Sequence, residues 1–155
     1  GFNLHDEITV ITSGKILTGF HLIRAFAIGA DLCNSARGMM LALGCIQALE
    51  CNENTCPTGI TTQKEDLKSG LVVEDKSTRV TNYHEETVKA TSELLTAAGL
   101  EHPTDVKRHH INRRTSAETV KRYDEIYPPV EPGCFLDNPP ERFHSILQRA
   151  ESDSF

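Results

Sequence analysis

Along the first fifty residues, the apolar positions fall into two short runs and two longer periodic stretches. Residues 7–12 (Glu-Ile-Thr-Val-Ile-Thr) are β-branched and stopped by Ser13-Gly14, the pattern of a buried strand. A helix is predicted next, because Thr18 can cap it and Phe20, Ile23 and Ala27 recur at helical spacing. Gly29 can close its end in a left-handed conformation. Residues 30–34 read as a second strand and residues 38–49 as an apolar helix. Strand, helix, strand and helix in so few residues predict a parallel crossover unit.

Beyond Cys56 the chain turns polar and loop-like over residues 58–70, with Leu71-Val72-Val73 as a short apolar anchor. Over residues 77–98, Val80, Tyr83, Thr87, Val88, Thr91, Leu94, Leu95 and Ala98 trace one helical face, ended by Gly99 and Pro103. Thr115 and Glu118 have capping-box spacing, which predicts a helix over residues 116–127 stopped at Pro128-Pro129. A further short helix is expected over residues 141–149, in a tail rich in proline and charge.

With 155 residues, 38% of them apolar, the chain can build one ordinary core. A net charge of -6 and the absence of tryptophan argue against a nucleic-acid surface. No apolar run is long enough to span a bilayer, and residues 1–6 lack the features of a signal peptide. A cytoplasmic, reducing location is expected, where five cysteines, an odd count, read as ligands rather than bridges. The chain lacks an initiator methionine and starts just before a strong strand, so it is expected to be a piece of a longer protein.

Two groups of residues carry candidate chemistry. Ser13-Gly14-Lys15 follows the first strand, and Asn34-Ser35-Ala36-Arg37-Gly38 follows the second where a helix begins. Backbone N–H groups at a helix start, with two cations nearby, suit a phosphate, although small residues mark ordinary strand-to-helix turns as well. The run is not a nucleotide P-loop, since Ile16 stands where the magnesium-binding hydroxyl would be needed. The second group is Cys45, Cys51 and Cys56, separated by five and four residues. That rhythm is not a zinc finger's; three thiolates suit an iron–sulfur cluster, while small buried helix cysteines would look the same. The expected helix would supply the first sulfur, and the Asn-Glu-Asn-Thr turn would bring the last one round. Cys33 reads as a core residue and Cys134 as a lone thiol.

The run Leu43-Gly44-Cys45-Ile46, followed by Cys51-Asn52-Glu53-Asn54-Thr55-Cys56-Pro57-Thr58-Gly59-Ile60-Thr61-Thr62-Gln63, closely resembles the cluster-binding segment of the glutamate synthase large-subunit family. The likeness extends upstream to Ser13-Gly14-Lys15-Ile16 and Gly29-Ala30-Asp31, and downstream through residues 70–76. His109-His110-Ile111-Asn112-Arg113-Arg114 and the proline-rich stretch to Gly133 look like its stand-alone FMN-binding branch.

The resemblance implies an α/β fold: the last two strands of a (β/α)8 TIM barrel, then a cluster-binding loop and a helical tail. Its implied divisions are residues 1–57 (barrel end and cysteines), 58–76 (loop and anchor), 77–133 (helical tail) and 134–155 (a flexible segment). It further implies that Cys45, Cys51 and Cys56 are ligands of a 3Fe-4S cluster, and that Ser13, Gly14, Lys15, Ala36 and Arg37 hold the FMN phosphate. The implied reaction reduces the imine of 2-oxoglutarate and ammonia to glutamate. Electrons would come from a donor such as ferredoxin or a reductase subunit. This chain alone is expected to be inactive, because two strands cannot close a barrel and need the remainder of it as a partner. The family tends to have a second glycine where Lys15 stands and Gly-Thr where Ala36-Arg37 stand, so charge contacts are expected to replace backbone ones. The rival from another class is a non-catalytic iron–sulfur or zinc-binding module.

The basic run 107–114 is either a docking patch for an acidic donor or a solvated face. Glu85 is placed to pair with Lys89, and His84 and His144 have no partner at ligand spacing.

Overall fold

The computed structural model describes residues 1–150 and shows a small mixed α/β fold with few strands. The crossover unit is present. β1 (Ile11–Thr12) pairs in parallel with β2 (Leu32–Cys33), Ile11 opposite Leu32 and Thr12 opposite Cys33. Between them runs α1 (Gly19–Ala27), capped by the Thr18 side chain, which accepts from the His21 amide. Gly29, at φ +108°, turns the chain out of the helix and lets the Ala30 amide bond back to Ala25. Both strands are shorter than expected, and residues 5–7 form a 3-10 turn instead. Among the described residues each strand is paired on one edge only, to the other, and its second edge is open. Consequently Ile8, Ile11 and Leu32, expected in a core, remain more than half exposed.

α2 (Ala36–Leu43) is shorter than the helix expected over residues 38–49. Gly44 adopts φ +100°, and the Gly44 and Cys45 amides bond back to Leu41 and Met40. This closure ends the helix, so Cys45 lies outside it. Within the polar stretch, α3 (Glu65–Lys68) is a single turn. α4 (Val73–Ala97) starts earlier than expected, because the apolar anchor is its first turn: Lys76 already bonds to the Val72 carbonyl.

α4 packs across α1 and α2. Its inward stripe includes Val80, Tyr83, Thr87, Thr91 and Leu95, whereas Val88, Leu94 and Ala98 of the expected face are exposed. The α1 contact is close. A methyl group on Gly19 would meet the Thr91 backbone nitrogen at 2.7 Å, so only glycine allows the two backbones to meet. The core lies at this end: Ile23 and Ala27 from α1, Leu95 from α4, then Val106, Ile111 and Tyr123.

The helix expected over residues 116–127 is not formed. β3 (Asn112–Arg114) and β4 (Val120–Arg122) make an antiparallel hairpin, and only α5 (Tyr123–Ile126) is helical. The Ser116 hydroxyl accepts from the Glu118 and Thr119 amides, and the Thr115 amide donates to the Thr119 carbonyl. Residues resembling a cap therefore build a turn. The side chain that caps is Glu125, accepting from the Arg122 amide at 3.2 Å.

α6 (Cys134–Asp137) and α7 (His144–Leu147) follow, the second matching the short helix expected over residues 141–149. Phe135 packs edge-on against Phe2 (5.2 Å) and Phe143 (5.0 Å), tying this segment to the chain start. The remainder of the tail expected to be flexible, residues 151–155, lies outside the described residues. Among the described residues no helix is long and apolar enough to cross a membrane.

Candidate functional site

Parallel pairing sets the two strand-end loops side by side, because both strands run the same way and stop at the same level. In the first loop Gly14 (φ +94°) and Lys15 (φ +57°) both have positive φ. A left-handed lysine is uncommon, which gives a physical reason for a glycine at this position in the resemblance. The Ser13, Gly14 and Lys15 amides donate to no acceptor among the described residues, and no side chain crowds Gly14. Lys15 and Arg37 form neither an ion pair nor a side-chain hydrogen bond among these residues.

The second loop enters α2 through Ser35, whose side chain does not cap the helix. Its hydroxyl instead donates to the Ile16 carbonyl at 2.7 Å. From α4, the Tyr83 hydroxyl donates to the Leu17 carbonyl at 2.9 Å, and the two hydroxyl oxygens approach to 3.4 Å. Gly38 makes room for this arrangement, since any Cβ there would overlap the Tyr83 hydroxyl. Open amides, an uncapped helix start and two free cations fit a phosphate dianion in charge and in donors.

The cysteine loop is organised differently. Cys56 is buried, Cys45 half-buried and Cys51 exposed. The Gln47 amide donates to Cys45 Sγ at 3.4 Å. Hydrogen bonds from the Thr58 hydroxyl, the Thr61 amide and the Thr58 amide bring the Cys56 thiol down to about 6. Thiolates held by N–H donors are the chemistry an iron–sulfur cluster needs. The geometry is not yet that of a site: among the described residues, no group of three or more His, Cys, Asp or Glu side chains converges. The donor types suit a cluster, and their positions in this chain do not enclose one.

Sequence reasoning missed what holds the base of this loop. The buried Thr62 hydroxyl donates to the Asn54 carbonyl (2.8 Å), and Asn54 Oδ1 accepts from the Gln63 amide at 2.6 Å. The Asn-Glu-Asn-Thr turn is thus clamped across to residues 62–63, as well as bonding within itself from Asn52 Nδ2 to Glu53 Oε1. The left-handed Asn54 (φ +58°), a conformation asparagine tolerates, was the available signal. α4 reaches this region too. A methyl group on Gly44 would lie 3.6 Å from both Lys76 Nζ and the Arg79 guanidinium, two cations beside the negative end of α2.

Outside these loops, burial pushes the Cys33 thiol up, as suits a half-buried residue, and Cys134 opens α6. His84 is exposed, and His144 Nε2 meets the Pro139 carbonyl. Lys89 pairs with Glu86 (3.9 Å) rather than Glu85. The basic run binds the chain's own carbonyls: Lys107 that of Thr104, Arg108 that of Tyr127, and Arg114 that of Ala117. His110 is held below its ordinary value by burial and by the neighbouring His109 and Lys107.

Residues 2–101 match a family described as a conserved region in glutamate synthase. The chain is 37% identical to a glutamate synthase large subunit-like protein, YerD, of Bacillus subtilis over 125 residues, covering 81% of this chain and 24% of that protein. It is 36% identical to an archaeal glutamate synthase [NADPH] of Methanocaldococcus jannaschii, covering 63% of this chain and 19% of that protein. A ferredoxin-dependent glutamate synthase of Cyanidium caldarium is 38% identical over 66 residues, 43% of this chain and 4% of that protein. The chain therefore spans about a quarter or less of the length of these relatives.

Proposed function

This chain belongs to the glutamate synthase family, and from that premise we propose that it forms the end of an FMN-binding (β/α)8 barrel. β1 and β2 are its last two strands, and the rest of the barrel covers the exposed edges at Ile8, Ile11 and Leu32. Ser13, Gly14, Lys15, Ala36 and Arg37 hold the FMN phosphate, the first three through open amides and Lys15 and Arg37 through charge. The (β/α)8 architecture commonly places phosphate at these two strand ends. The observation that carries this reading is the side-by-side placement of the two loops by the parallel pair.

Cys45, Cys51 and Cys56 supply the ligands of a 3Fe-4S cluster, which provides one-electron transfer when bound. Metal binding would then couple to loop closure, since among the described residues the three thiols do not converge. The complete enzyme reduces the imine of 2-oxoglutarate and ammonia to glutamate in the cytoplasm, fed by a ferredoxin or a reductase subunit. This chain alone lacks the enclosing barrel and is inactive.

The test is flavin analysis of the full-length protein, followed by assay of glutamate formation from 2-oxoglutarate, ammonia and a reduced donor. The reading expects about one FMN per chain and reductive amination. Full-length protein that takes up no flavin would overturn it.

A further inference from the structure

Ser35 ties the second strand-end loop to the Ile16 carbonyl, and a third element, α4, adds Tyr83 to the same junction. We infer that Tyr83, on α4, is a positioning residue for the phosphate cradle, acting with Ser35 as a latch between the loops. This rests on the FMN reading above and goes beyond it, since Tyr83 lies outside every motif that carries the family resemblance.

The proton inventory shows how the latch works. A hydroxyl has one proton to donate. Ser35 gives its proton to the Ile16 carbonyl and Tyr83 gives its proton to the Leu17 carbonyl. Ile16 and Leu17 are the two residues that follow the left-handed Gly14-Lys15 pair. Both of their carbonyls are thereby pointed inward, to α2's first residue boundary and to α4. A peptide unit is planar, so fixing the carbonyls of Ile16 and Leu17 also fixes the Leu17 and Thr18 amides in the same planes, where the chain leaves the loop. The segment leaving the first loop is pinned at two successive peptides.

The same bonds set the second loop. Ser35 occupies the N-cap position, where its side chain would ordinarily bond an amide of the first helical turn. With the hydroxyl turned toward Ile16, its oxygen accepts from none of those amides, and they stay open toward an anion. Gly38, one turn into α2, is the matching part, because only glycine lets the Tyr83 hydroxyl reach the loop. Ile16 is 4% exposed and Ser35 half-buried, so the first of these bonds is partly shielded from water.

FMN and riboflavin separate this role from general stabilisation. They share the flavin ring and differ in the phosphate, so a latch that sets the cradle affects only FMN. The experiment titrates both ligands into the full-length apo protein carrying Tyr83→Phe, which keeps the ring packed on Gly38 and removes one hydroxyl. FMN affinity is expected to fall by roughly five- to tenfold, the scale of one lost hydrogen bond, with riboflavin affinity unchanged. Ser35→Ala is the second variant, expected to do the same and available if Tyr83→Phe does not fold. Equal weakening of both flavins, or no weakening of FMN, would overturn the latch. If the unsubstituted protein binds FMN no more tightly than riboflavin, the phosphate cradle itself is wrong and the latch falls with it.

Discussion

The two candidate sites of this chain are built in opposite ways. The phosphate cradle is held from behind by packing: α1 and α4 meet backbone to backbone at Gly19, and Tyr83 and Ser35 fix the peptides at Ile16 and Leu17. The cysteine loop is clamped at its base by Asn54 and Thr62, and its span from Gly44 to Asn54 contains three non-glycine residues at positive φ: Gln47, Leu49 and Asn54. A left-handed leucine that is 84% exposed gains nothing from packing. On the proposed reading, the contrast is between an anion site whose backbone amides the fold sets and a thiolate site that its metal would complete.

Substitutions in the full-length protein break this comparison in order of size. Cys51→Ser should abolish iron binding while FMN content stays, because the flavin site does not depend on the loop; loss of both would merge the two regions. Leu95→Ala removes a buried core side chain and should cost about 2–5 kcal/mol, read as a lower denaturation midpoint. It should weaken FMN and iron retention together, since α4 backs both loops. Gly59→Ala acts on the cysteine side alone. Its φ is +77°, and the added methyl would meet the Leu67 carbonyl at 2.6 Å, so a cost of about 1–3 kcal/mol and faster iron loss are expected, with FMN affinity unchanged.

The smallest effect is a titration. In iron-free protein, thiolate absorbance from Cys56 should appear with a midpoint of about 6, and Thr58→Val should move it upward. The sign follows from the bonds: the fold favours the thiolate, so their stabilisation is complete above the unfolded thiol's ordinary value and is lost as pH falls through about 6. A midpoint at the ordinary thiol value would show that Thr58 and Thr61 do not hold the sulfur.

How much of this was legible in the chain depended on whether local signals had competitors. Thr18, the 20-23-27 spacing and Gly29 all agree, and α1 formed as read. The helix expected over residues 38–49 rested on an apolar run continuing to Leu49; the left-handed closure at Gly44 ends it sooner. Thr115 and Glu118 mimic a cap because serine and threonine serve turns and helix starts through the same amide bonds. Strand length could not be read, since Ile8 and Leu32 declare a buried surface that this chain does not itself cover. The cysteines and the glycine-lysine turn were visible as motifs. The roles of Tyr83 and Thr62 were not, because each acts through a contact that only the fold creates.

Iron and acid-labile sulfide per chain, with an electron paramagnetic resonance spectrum, on full-length protein purified without oxygen would test the central claim most directly. The account predicts about three irons with matching sulfide and an oxidised-cluster signal, carried by a loop that closes only around its metal. Full-length protein that holds FMN but neither iron nor sulfide would contradict it, and would leave Cys45, Cys51 and Cys56 as ordinary thiols beside a flavin site.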